Sequence, residues 1–172
     1  SINPCYNQFI EGVLTKIKKL NMKKQLLNIA LLLATASAVN AQVSFAPAVN
    51  YGTGPSPYSG LTADFNNDGK TDIVTANYNG INVSALLGSG TGTFAAAANS
   101  AAGPGAYSVF AADFNGDGNM DLATANYNAY YVAVLLGSGT GTFAAAVNYV
   151  VGNNPYSVFS ADFNGDGKVD LA

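Results

Sequence analysis

DFNGDGNMDLATANYNAYYVAVLLGSGTGTF, residues 113–143, holds in one stretch the features that decide how this chain folds. It opens with nine residues carrying aspartate at positions 1, 5 and 9. Two runs of β-formers follow, separated by an Asn-rich turn, and the stretch closes on a Gly-Ser-Gly-Thr-Gly turn. The acidic loop occurs twice more, as DFNNDGKTD from Asp64 and DFNGDGKVD from Asp162, so that the three begin 49 residues apart.

The repeat reaches beyond the loops. LLGSGTGTFAAA at 86–97 recurs unchanged at 135–146, and TANYN at 75–79 recurs at 124–128. Phe45, Phe94 and Phe143 keep the same spacing, as do Tyr58, Tyr107 and Tyr156. Cutting at the phenylalanines gives units 45–93, 94–142 and 143–172, the last ending after 30 of its 49 residues. Within a unit four strands are expected, for example AYSVFAADF, MDLATANY, YYVAVLLG and GTFAAAVNY.

One four-stranded antiparallel sheet in about 40 to 50 residues is the size of a propeller blade. Runs such as VAVLL suit strands buried on both faces between neighbouring blades. A β-helix would need much shorter coils, and a sandwich would not repeat its sequence. The expected fold class is therefore all-β, built of β-propeller blades. Because a ring closes with roughly 4 to 8 blades, the propeller is incomplete, and the sequence reads as a fragment of a longer protein.

Few charges and no histidine or tryptophan argue against a disordered acidic tail and against a basic nucleic-acid binder. The net charge of −3 conceals a division. Five of the seven lysines (Lys16, Lys18, Lys19, Lys23, Lys24), the only glutamate (Glu11) and the only cysteine (Cys5) lie in the first 24 residues. From Met22 the chain reads MKKQLLNIALLLATASAVNAQ: a basic start, a short apolar run over about 26–34, then small residues ending in Val39-Asn40-Ala41. That is the layout of a secretory signal peptide over 22–41, cleaved after Ala41 or, as second choice, after Ala38.

A membrane anchor fits less well, since a spanning helix needs roughly 20 apolar residues and this run is shorter and broken by Asn28. Residues 1–21 read as translation upstream of a start at Met22. Secretion or cell-surface display is expected, from a bacterial host by the Met-Lys-Lys start, with no membrane span in the mature chain. The mature segment would contain no cysteine, so disulfides cannot stabilise it outside the cell.

Over residues 42–172 nine aspartates face two lysines, a balance of −7, and every acidic residue lies in one of the three loops. Like charges 4 Å apart repel by about 1 kcal/mol in water and about 4 kcal/mol at an effective dielectric near 20, so three carboxylates in nine residues need a reason. A divalent cation reverses the sign of that interaction. The pattern D-x-N-x-D-G-x-x-D offers side-chain oxygens at positions 1, 3, 5 and 9, a carbonyl at 7 and a glycine at 6 for the bend. Hard oxygen donors on a wrapping loop suit Ca²⁺ better than zinc or copper.

The bland alternative, that Asn-Gly and Asp-Gly merely turn hairpins, leaves the confinement of acids to the loops unexplained. An EF-hand would place glutamate at position 12 between helices, whereas Thr75 and Thr124 stand there before β-formers. Dockerin-type modules repeat at shorter intervals and use helices.

The 113–143 stretch resembles the FG-GAP/VCBS repeat, the blade of the propeller at the head of integrin α subunits and in many secreted bacterial proteins. The resemblance covers 45–172, and the missing Phe-Gly and Gly-Ala-Pro landmarks make the VCBS variant the closer likeness. It implies a calcium loop in each repeat. By that likeness Asp64, Asn66, Asp68 and Asp72 are side-chain ligands and Lys70 gives its carbonyl. Asp113, Asn115, Asp117, Asn119 and Asp121 repeat these roles, as do Asp162, Asn164, Asp166, Lys168 and Asp170.

The expected function is a non-catalytic binding or adhesion module with a protein or glycan ligand. Tyr58, Tyr107 and Tyr156 either present aromatic faces to sugars or pack between blades. An enzyme is disfavoured because 42–172 lacks histidine, cysteine, glutamate and arginine, leaving no usual acid, base or nucleophile outside the loops. A scaffold for a separate enzymatic domain, or a plain spacer, remains the alternative.

Overall fold

The computed structural model describes residues 11–24 and 45–172. The chain divides into two compact units, 1–48 and 49–172. In the first, residues 11–24 form a solvent-exposed helix in which Thr15 Oγ1 donates to the Glu11 carbonyl over 2.8 Å. Among the described residues no helix is long and apolar enough to cross a membrane. The apolar run over 26–34, the cleavage points after Ala38 and Ala41, and Cys5 lie outside the described residues.

The second unit is all-β. Strands β1 (Pro57–Ala63), β2 (Asp72–Asn77), β3 (Asn82–Leu86) and β4 (Ala98–Ala101) form an antiparallel sheet in the order β1-β2-β3-β4. Strands β5 (Ala106–Ala112), β6 (Asp121–Asn126), β7 (Tyr131–Leu135) and β8 (Val147–Val150) form a second sheet in the same order, each starting 49 residues after its counterpart. β9 (Ser160–Ala161) and β10 (Asp170–Leu171) pair antiparallel as the start of a third repeat. These are propeller-blade-like meanders, and the described residues close no barrel.

The sheets run over 57–101 and 106–150, whereas the phenylalanine cuts at 45, 94 and 143 fall elsewhere. A repeat has a period but no phase, and hydrogen bonding alone decides where a blade begins. The segment GTFAAAVNY shows this: Phe143 makes only an isolated bridge to Gly137, and the regular strand starts at Val147. Phe45, at the same sequence spacing, belongs to the first unit and is exposed.

The central strands are buried through consecutive residues, as expected for sheets covered on both faces: β6 throughout, and Val132 to Leu135 in β7. One core, with Val74, Ala76, Val83, Leu122, Ala133 and Leu135, fills the space between the two sheets. Another, with Ala123, Ala125, Val132, Val134 and Val158, joins the second sheet to the third repeat. Alanine and valine on facing strands let the sheets approach closely, which repetition of the same sequence makes possible at each junction. The buried amide of Asn77 bonds Asn82 Oδ1 at 2.8 Å and Ser84 Oγ at 2.7 Å, and among the described residues no buried side-chain polar atom lacks a partner.

Candidate functional site

The three aspartate loops join the first and second strands of each repeat, and positions 1, 3 and 5 curl inward over their own backbone. In the first loop Asp64 Oδ2 accepts from Gly69 N at 2.7 Å, while Asp68 N donates to both Asp64 Oδ1 and Asn66 Oδ1 at 3.2 Å. In the second, Asp113 accepts from Gly116, Asp117 and Gly118, and Asn115 Oδ1 from Asp117 N. In the third, Asp162 accepts from Gly165, Asp166 and Gly167, and Asn164 Oδ1 from Asp166 N. The position-6 glycines, Gly69, Gly118 and Gly167, take φ of +77°, +85° and +80°, the left-handed bend that the pattern required.

Position 5 closes the ring. Asp68, Asp117 and Asp166 accept from the backbone N–H two residues on, at Lys70, Asn119 and Lys168, over 2.8–2.9 Å. Those donors hold the Asp68 and Asp117 carboxyls below the usual range, helped at Asp68 by the Lys70 side chain and at Asp117 by the Asn115 side chain. The Gly167 N–H does the same for Asp162. Lys70 Nζ also pairs with Asp68 Oδ2 at 3.1 Å on the open surface, where such a pair contributes little.

Position 9 behaves differently. Asp72 and Asp121 are fully buried at the start of β2 and β6. Asp72 Oδ2 takes the N–H of Phe65 at 2.9 Å and Oδ1 that of Gly88 at 2.7 Å. Asp121 does the same with Phe114 and Gly137, at 2.9 and 2.7 Å, and Asp170 accepts from Phe163 at 3.1 Å. The structure thus gathers positions 1, 3 and 5 and sets position 9 apart as a fastener between the loop and the Gly-Ser-Gly-Thr-Gly turn. Among the described residues no group of three acidic side chains is arranged to hold a metal ion.

The turn explains its own glycines. Gly88 and Gly137 lie so close to the carbonyls of Thr71 and Met120 that a Cβ would collide with them. A residue with any side chain would lift the turn away from the aspartate.

The periodic tyrosines form a ribbon. Tyr58 and Tyr107 are the extra residues at matching irregularities in β1 and β5, where the register shifts. Their rings meet across the repeats at 4.9 Å, and Tyr107 meets Tyr156 at 5.0 Å. Tyr78 and Tyr127, from the recurring TANYN segments, fill in behind at 5.1 Å from Tyr58 and 4.8 Å from Tyr156. The rings touch one another from repeat to repeat, while Tyr58 and Tyr156 stay exposed. Sequence reasoning singled out three of the five, although the recurrence of TANYN was signal enough for the other two. It missed Asn67, whose side chain reaches Asn119 in the next loop at 2.9 Å.

The loops set the starts of the two segments that match a known family. The FG-GAP-like repeat matches residues 64–124 and 113–172, each match beginning at position 1 of an aspartate loop. The chain belongs to the FG-GAP-like repeat family. No curated protein matches it. Successive FG-GAP-like matches overlap over the second loop, and each runs from one aspartate loop through the next, taking the last three strands of one sheet and the first strand of the following repeat. Such repeats suggest a β-propeller-like binding module.

Proposed function

We propose that the chain is a calcium-stabilised, non-catalytic binding module, secreted or displayed at the cell surface. The observation that supports this most is the repeated all-oxygen cluster at loop positions 1, 3 and 5, half-buried to exposed and built on one backbone geometry in every repeat. The donors are of the right kind: Asp64, Asn66 and Asp68, then Asp113, Asn115 and Asp117, then Asp162, Asn164 and Asp166, with the carbonyls of Lys70, Asn119 and Lys168 at position 7. Asp72, Asp121 and Asp170 offer second lone pairs while fastening the loop. Ca²⁺ bound there would supply positive charge that neutralises crowded carboxylates and holds the loop rigid.

Export follows from the 22–41 segment. The non-catalytic reading is supported by the lack of histidine, cysteine, glutamate and arginine over 42–172. The ligand would be a protein or a glycan, with the alternative of a scaffold carrying an enzymatic domain.

The test is thermal melting of the chain in chelator and in millimolar calcium, alongside calorimetric titration. A melting temperature that rises with calcium supports the proposal. Identical melting curves and no binding heat reject it.

A further inference from the structure

Three positions break the 49-residue repeat inside the loops, 4, 7 and 8, and the fold brings the first two of them together. Position 4 is Gly116 and Gly165 in the second and third loops but Asn67 in the first. Position 7 is Lys70 and Lys168 in the first and third loops but Asn119 in the second. Asn67 sits at φ +60°, beside the +77° and +80° of its glycine counterparts, a region that disfavours side chains and that asparagine tolerates best. There its Nδ2 donates to Asn119 Oδ1 at 2.9 Å, across 52 residues of sequence. At the next junction the same positions are Gly116, with no side chain, and Lys168, with no acceptor, so the bond has no counterpart.

The bond is backed by a turn. Gly139 lies against both amides, and a side chain there would collide with Asn119 Oδ1 and Asn67 Nδ2. The same turn donates from Gly141 N to the Phe65 carbonyl at 2.9 Å and from Gly137 N to Asp121 Oδ1 at 2.7 Å. Phe143, which ends the turn, meets the Phe65 ring edge-on at 5.7 Å. One turn is therefore tied to the first loop and the second. Asn119 in turn orients Asp117, whose Oδ1 accepts its N–H at 2.8 Å.

We infer that Asn67 and Asn119 form a clasp that makes the first two loops a coupled pair, ordered together, with the third loop outside it. Its functional side rests on the proposed calcium reading. A cation in the first loop fixes Asn67, hence Asn119, whose carbonyl stands at position 7 of the second loop. Affinity there rises, and by linkage the effect is reciprocal.

Asn67→Gly and Asn119→Lys install residues that sibling loops already carry, so the loop backbone accommodates both. Hydrogen exchange on the full chain in chelator comes first, followed by calcium titration. Asn67→Gly is expected to speed exchange in 113–121 as well as in 64–72, by about fivefold, the low end of ordinary coupling between sites. Calcium titration of the unsubstituted chain is expected to show two coupled sites and one independent site, becoming three independent sites in either variant. The double variant Gly116→Asn/Lys168→Asn transplants the clasp and is expected to slow exchange in 162–170.

Exchange that changes in 64–72 alone overturns the clasp, as does titration in which all three sites are independent in the unsubstituted chain. If calcium does not bind at all, the proposed function fails, and the exchange comparison still decides the clasp.

Discussion

Asp72 Oδ1 holds the backbone N–H of Gly88 at 2.7 Å, and its other oxygen holds that of Phe65, so one buried carboxylate joins the aspartate loop to a turn 16 residues later. The same arrangement at Asp121 and Gly137 makes it a property of the repeat.

Asp72→Ala and Asp121→Ala each leave two N–H groups without their acceptor. At about 1–3 kcal/mol for each unsatisfied buried group, either substitution is expected to cost about 2–6 kcal/mol in urea denaturation. The loss is expected in chelator as well as in calcium. A loss confined to calcium would leave these residues as ligands with no fastening role.

Asp64→Ala and Asp68→Ala are expected to show the opposite pattern. In chelator these changes, at a half-buried and an exposed position, shift stability by about 1 kcal/mol or less. With calcium at about 100 times its dissociation constant, the linked stabilisation of about 2.7 kcal/mol per site is lost. Melting with and without calcium separates the two classes of aspartate.

Gly137→Ala places a methyl group against the Met120 carbonyl. Overpacking of this kind costs about 1–3 kcal/mol, and here it also pulls Gly137 N from Asp121. A lower midpoint in thermal melting is expected, and adding calcium does not restore it.

Acid is expected to loosen the loops. Asp68, Asp117 and Asp162 have folded-state pKa values below the ordinary 3.8, so the native chain binds fewer protons than the unfolded one. Their contribution is fully present above pH 3.8 and is lost as pH falls below it. Amide exchange of Lys70, Asn119 and Gly167, whose N–H groups these three carboxylates accept, checks this below that pH.

Tyr107→Ala removes the ring that touches Tyr58, Tyr78, Tyr127 and Tyr156. Aromatic pairs contribute about 0.5–1.5 kcal/mol each beyond burial, so a loss of about 2–3 kcal/mol is expected, with Tyr107→Phe near neutral. Equal losses in both variants would move the weight from the ring to the hydroxyl.

By itself the sequence determined the period, the strands of each repeat, the loop bends and the family. All of these rest on residues near one another in the chain, where spacing and side-chain type dictate backbone conformation. Identical segments 49 residues apart then have to fold alike. Tertiary structure decided what each oxygen does. Asp64, Asp68 and Asp72 read as equals in the pattern, but only the return of the turn to the loop buries Asp72 and occupies its oxygens. The tyrosine ribbon, the phase of the sheets and the meeting of Asn67 with Asn119 likewise depend on one repeat lying against the next. Contacts across about fifty residues obey the geometry of packing, which a periodic pattern specifies only once the repeats are stacked.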